Sequence, residues 1–270
     1  MFFYDDAKKV IKEYYKGSID RCSCDDIDLM FCGHKYKHSF HVKYVGKFIL
    51  ENEKSLQNLS DNKKDIGMLA LMLHDLGRFE ERQPSGVDGY NYKDHGILGY
   101  QLIKNELKLD LPELLLSVKH HGHLPNVLFE DPEFLMHPER KQESILKIIH
   151  LVSDADKLSN FIMYTRKFEN YIHRNSKFFT DEPKVSQEVI DAFKERRLVN
   201  FKKINTLTDL TLNVMAWVFD INYNHTFKML FEDDYYVRFR EKAYSLFDDD
   251  DVKNLIDRSI EDYILHKPLK

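Results

Sequence analysis

The chain has 270 residues, 43% of them hydrophobic and 31% charged, with a formal net charge of −5 when the histidines are neutral. That length is ample for a buried core, and the slightly acidic balance gives none of the basic footprint expected of a nucleic-acid or membrane-surface binder. With only 10 Gly and 7 Pro, and long Lys, Glu, Leu and Ile stretches, the composition leans towards a helical protein.

The first residues, MFFYDDAKKVIKEYYKG, are apolar for four positions and then charged. They show no signal-peptide core, and no later stretch approaches the roughly 18 uninterrupted apolar residues of a membrane span. A soluble cytoplasmic protein is the expectation. Cys22, Cys24 and Cys32, with His34 close behind, do not match a common zinc-finger spacing and read as free thiols, a structural zinc being the alternative.

Apolar residues at helical spacing predict helices over 5–16, 36–51 and 62–76. Pro84, Ser85, Gly86 and Gly89 mark a loop from about 79 to 92. Helices are then expected over 94–107 and 111–121, the second with Pro112 in its first turn. HLPNVLFEDPEFLMHPER, with three prolines, reads as a connection. From Glu143 to Tyr171, apolar residues at 145, 148, 149, 152, 155, 158 and 162 form one face of a long helix. The chain is helical again from about 185. TDLTLNVMAWVFDINY is read as buried, with Trp217, Phe219 and Tyr223 as core, and FDDDDVKNLIDRSIEDYI is amphipathic with an acidic start that suits a helix dipole. No strand or internal repeat stands out, so the fold class is all-α. The expected organisation is a helical bundle over 1–180 and a helical extension over 181–270 that packs on it or forms a homodimer interface.

MLHDLGRFEERQ places His74 beside Asp75 at the end of an apolar run from Ile66 to Leu76. Enclosing a carboxylate is costly without a cation or several donors, and a divalent metal is the strongest such partner. Adjacent side chains on a helix diverge by about 100°, so both reach one ion only near a helix end, and by itself the pair reads as a capping Asp beside a core His. Similar residues recur elsewhere: His34, His38 and His41 in HKYKHSFHV, His95 in KDHGILGY, His120, His121 and His123 in SVKHHGH, and Asp154 and Asp156 in LVSDADKLSNF. Imidazoles and carboxylates on apolar helices at five places suggest a mixed nitrogen and oxygen metal shell.

The ordered set His38, His74–Asp75 and Asp156 resembles the HD-domain superfamily of metal-dependent phosphohydrolases, with an HD-domain-like helical bundle over roughly 30–165. His95 in HGILG and His121 in VKHH resemble the subset that holds a second metal. Asp156 is preferred to Asp154 because it shares the stripe of Ile145, Ile149, Val152 and Ser159, and Asp156–Lys157 matches the family's usual pairing. His121 continues the stripe of Leu114 and Val118; His120 is the second choice. His38 is chosen on its His-Ser-x-x-Val pattern, with His34 and His41 on the same face.

The resemblance implies a phosphohydrolase that cleaves a phosphoester of a small metabolite or nucleotide through a metal-activated water. It implies one or two divalent ions (Fe, Mn, Zn, Ni, Co or Mg), Asp75 as the residue that steers the water, and Arg78 and Lys157, with Lys119, as cations for the phosphate. The chain lacks the GYP of cyclic di-GMP hydrolases after its His pair and has DKL where guanosine-tetraphosphate hydrolases carry Asp-Arg-Leu. Two other readings stay open: a di-iron oxygenase built on the same ligands, and a non-catalytic binding module.

Overall fold

The computed structural model describes residues 4–21, 26–81, 84–85, 89–90, 94–123 and 125–267. It is all-α apart from two two-residue strands, and it divides into two compact units, Met1–Ser159 and Asn160–Lys270. The division falls inside a helix, where the sequence reading set it after residue 180. Among the described residues no helix is long and apolar enough to cross a membrane.

The first unit begins with α1 (Tyr4–Arg21) and α2 (Asp26–Asn52). α2 starts ten residues before the expected point. Its inward side runs Cys32, Lys35, His38, Ser39, Val42, Val45 and Ile49, all buried, so the helical period is there but polar side chains hide it. Cys32 is buried; Cys22 and Cys24 lie outside the described residues. α3 (Asp61–Leu73) buries Ile66, Gly67 and everything from Ala70 to Leu73, and each such Leu or Ile contributes about 1.5–3 kcal/mol. It packs against α2 and against α6 (Pro112–His120).

The expected 79–92 loop opens with one helical turn, α4 (Arg78–Glu81). β1 (Pro84–Ser85) and β2 (Gly89–Tyr90) then pair antiparallel, Pro84 opposite Tyr90 and Ser85 opposite Gly89. The rest of that loop lies outside the described residues. α5 (His95–Asn105) is capped by Asp94, whose carboxylate accepts from the Gly96 and Ile97 amides, and it packs on α6 and α4.

The proline-rich connection contains two short helices, α7 (Pro125–Phe129) and α8 (Pro132–Leu135). Proline suits a first helical position because its missing N–H would have no partner there. α9 (Glu139–Arg166) is the long helix, ending five residues before the expected point. Ile145 and Ile149 of α9 join Leu116, Leu128 and Phe134 in one apolar cluster.

The second unit takes the end of α9 and then α10 (Phe168–Asn175), α11 (Gln187–Glu195), α12 (Leu207–Ala216), α13 (Asn224–Glu232), α14 (Tyr235–Tyr244) and α15 (Asp250–His266). Its interior is aromatic. Phe161 meets Phe239 at 5.4 Å and Trp217 at 6.2 Å, edge to face, and Phe219 meets Phe193 at 5.6 Å. With Tyr223 buried, Trp217, Phe219 and Tyr223 are packing residues, as the sequence suggested.

Candidate metal centre

His74 and Asp75 sit just past the end of α3. His74 caps the helix, and the backbone tightens beyond it: the Leu76 amide donates to the Leu73 carbonyl (3.0 Å) and the Arg78 amide to the Asp75 carbonyl (2.9 Å). α3 thus ends three residues before Leu76, the end expected from sequence, and the break turns two adjacent side chains onto one point. The Asp75 carboxylate is 2% exposed and His74 is fully buried.

Two groups of imidazoles meet Asp75. Near Oδ2 lie His74 Nε2 (3.4 Å) and His38 Nε2 (3.8 Å), and Asp156 Oδ1 closes this group at 2.7 Å from His38 Nε2 and 3.8 Å from His74 Nε2. Near Oδ1 lie His95 Nε2 (3.7 Å) and His121 Nε2 (3.8 Å), themselves 3.2 Å apart. The six residues read from the sequence thus converge, drawn from α2, α3, α5, α6 and α9, with Asp75 shared between the groups. Ligands at about 2.0–2.2 Å from one ion stand about 3–4 Å from one another, which is this spacing.

Glycines permit the approach. A Cβ on Gly77 would lie 2.0 Å from the His95 carbonyl oxygen, and one on Gly96 would lie 2.5 Å from the Lys119 carbonyl oxygen. Gly77 therefore lets the His74–Asp75 turn touch the start of α5, and Gly96 lets α5 touch the end of α6 beside His121.

The chemistry of the donors fits a divalent cation. His74 Nδ1 donates to the Leu71 carbonyl (3.0 Å) and His121 Nδ1 to the Val118 carbonyl (2.9 Å). Each neutral ring therefore turns an Nε2 lone pair inward. For His74 that atom is buried without a hydrogen-bond partner and faces the carboxylate oxygens of Asp75 and Asp156. With that ring neutral, acceptor faces acceptor, an approach relieved by a metal ion or by a proton on Nε2, the form that Asp75 favours. Burial pushes His38 down to about 4, and burial with the nearby Arg78 charge holds His95 well below its ordinary value. Burial alone would raise Asp75 and Asp156, yet Lys35 and His74 hold the first, and His38 the second, below the usual carboxylate range. Burial likewise opposes a charge on His74, and Asp75 outweighs it, so His74 is raised. Neutral imidazoles and ionised carboxylates are the forms that bind metal.

Two charged residues, Arg78 and Lys35, border the cluster, and a third, Lys157, follows Asp156 in sequence. Arg78 Nε lies 3.4 Å from Asp75 Oδ1, with its side chain 26% exposed. Lys157 is buried, and its ammonium donates to the Ser153 hydroxyl one turn back on α9. Lys35, not singled out from sequence, is buried with Nζ 2.8 Å from Asp75 Oδ2. Its position three residues before His38, on the same helical face, was the available signal.

His120 is turned away: its Nε2 meets Asp131 Oδ2 at 2.6 Å, beside Lys119 Nζ at 2.7 Å from the same oxygen. Lys119, a candidate phosphate cation, is thus engaged with Asp131. His34 stacks on His38 at 5.6 Å, and Asp154 is fully buried.

No curated protein and no solved structure matches the chain. Residues 36–160 match the family model described as HD domain, a span that contains all six converging residues and ends beside the boundary of the first unit. Over these residues, a little under half of the chain, the protein matches an HD domain, which is consistent with the HD-domain superfamily.

Proposed function

We propose that the protein is a metal-dependent phosphohydrolase acting on a phosphoester of a small metabolite or nucleotide. The observation that carries this reading is the shared carboxylate: Asp75 presents one oxygen to His38 and His74 and the other to His95 and His121, an arrangement suited to two adjacent cations. His38, His74, Asp75 and Asp156 would hold one and Asp75, His95 and His121 the second; donor atoms lie within 4.8 Å of one another in His38–His74–Asp75 and in Asp75–His95–His121, and those of Asp156 within the same distance of His74 and His121. A divalent ion there supplies Lewis acidity towards phosphate oxygens and lowers the pKa of water towards neutrality.

The chain's own residues do the rest. Asp75, held well below the usual carboxylate range, remains ionised and accepts and orients hydrogen bonds at the reacting point. Arg78, at the partly exposed edge, is assigned to the phosphate oxygens, where negative charge grows during transfer. Lys35 balances the buried carboxylate from the opposite side. The ionised donors and the cation at the rim favour hydrolysis of an anionic ester, with no membrane or nucleic acid as partner.

The test is elemental analysis of the purified protein with a phosphoester panel that includes nucleotides. One to two equivalents of metal per chain and phosphate release lost in Asp75→Ala support the reading. Metal-free wild type that stays inert after Mn²⁺ or Fe²⁺ reconstitution sinks it. Two irons with oxygen consumption and no phosphate release would replace it by the oxygenase.

A further inference from the structure

His38 differs from His74 and His121 in where it sits on its helix. His74 and His121 follow the last residues of α3 and α6, where last-turn carbonyls lack helical partners. Each ring uses such a carbonyl for its Nδ1–H, which fixes one tautomer. His38 lies in the middle of the 27-residue α2, where backbone carbonyls serve the helix. Its Nδ1 turns instead to a side chain of α9, the Ser159 hydroxyl at 3.1 Å, and that hydroxyl also lies 2.8 Å from His41 Nδ1. His38 and Ser159 are fully buried, and His41, one turn along α2, is half-buried.

A hydroxyl carries one hydrogen, so it can donate to only one of the two nitrogens. When that hydrogen serves one of the two rings, the chain of bonds can run two ways. With His38 protonated at Nε2 and donating to Asp156 Oδ1 (2.7 Å), the hydroxyl donates to His38 Nδ1 and His41 Nδ1–H donates to the hydroxyl. With His38 Nε2 given to a cation, His38 Nδ1–H donates to the hydroxyl and the hydroxyl donates to His41 Nδ1. A backbone carbonyl accepts only and offers no such reversal.

We infer that Ser159 and His41 are positioning residues that form a reversible tautomer relay behind His38, keeping that ring neutral and aligned whether or not a metal is bound. The exchange balances. On loading, one proton leaves His38 Nε2 and the relay returns one to Nδ1. His41 gives up its Nδ1 proton to the relay and takes one at Nε2 from solvent. The inference rests on the metal-binding reading above and adds residues to it.

The experiment uses the full chain, labelled with ¹⁵N at histidine, with and without Zn²⁺ as a diamagnetic probe. Ring nitrogen shifts are expected to report His38 passing from Nε2–H to Nδ1–H on zinc loading while His41 passes from Nδ1–H to Nε2–H. In Ser159→Ala the two rings uncouple, and chelator competition shows zinc held about 10- to 100-fold more weakly. Ser159→Thr, which keeps the hydroxyl, restores the coupling. His38 in one tautomer in both states at full zinc loading overturns the relay alone, as does Ser159→Ala with wild-type affinity and coupled rings. Wild type that takes up no zinc overturns the metal reading and the relay together.

Discussion

His74 Nε2 lies 3.4 Å from Asp75 Oδ2 although the two residues are neighbours in sequence. On a continuing helix their side chains would point about 100° apart. The tightened turn after Leu73 removes that divergence, and the approach it creates is stable with a metal ion or a proton between the two side chains.

Removing the shared carboxylate should therefore cost both metal positions. Asp75→Ala is expected to lose most bound metal and at least about 100-fold in phosphoester turnover. Asp75→Asn keeps the shape but not the charge and should lose nearly as much metal. Full metal content in both variants, read by elemental analysis, would overturn the shared-carboxylate arrangement.

Gly77→Ala places a methyl group where the His95 carbonyl oxygen stands, 2.0 Å from the ideal Cβ position. The turn and α5 must separate, at a cost of about 1–3 kcal/mol. His95 moves with α5, so metal at the His95–His121 position should weaken more than metal held by His38, His74 and Asp156. Titration of metal equivalents on a folded variant, with a thermal melt alongside, checks this; equal weakening at both positions would count against it.

His120 and His121 are adjacent but engaged differently, His121 towards Asp75 and His120 towards Asp131. His121→Ala should reduce metal content. His120→Ala should leave metal content near wild type while lowering stability by about 1–3 kcal/mol, since Asp131 loses a buried partner. The opposite pattern, seen by elemental analysis of both, would reverse the assignment.

Glu188 of the second unit gives a pH-dependent prediction. Burial would raise its carboxyl, but Arg197, the Asn200 amide and Lys203 together hold it at about 2, below its ordinary 4.5. A depressed folded pKa means stabilisation present above about pH 4.5 and lost as pH falls towards 2. The basic side chains are largely in water, which screens the gain to about 1–2 kcal/mol. Glu188→Gln should be less stable by that amount at pH 7 and approach wild type near pH 3 in denaturant titrations. A constant difference between those pH values would show that the carboxylate's charge is not the source.

Much of the molecule was legible in the sequence because helical periodicity survives wherever a face is apolar. The stripe on α9 that carries Ile145, Ile149 and Val152 also carries Asp156, and the stripe on α6 leads to His121, so periodicity pointed to these side chains; burial alone would have favoured Asp154, which is fully buried where the Asp156 side chain is 22% exposed. Elements were missed where polar residues occupy the inward face. The start of α2 was hidden because its inward side there carries Cys32 and Lys35, and the short helices α7 and α8 by prolines that begin helices as readily as they end them.

Local patterning thus determined the all-α class, and the ordered His and Asp residues pointed to the six side chains that converge. Only the tertiary structure decided how they meet. Which oxygen of Asp75 faces which imidazole, that Lys35 reaches that carboxylate, that His120 leaves the site for Asp131, and that Ser159 of α9 stands between two histidines of α2 are all contacts between helices distant in sequence. A helical period fixes the direction of a side chain about its own axis. It carries no information about the neighbour placed there, because that depends on close approaches such as Gly77 on His95 and on where each helix ends.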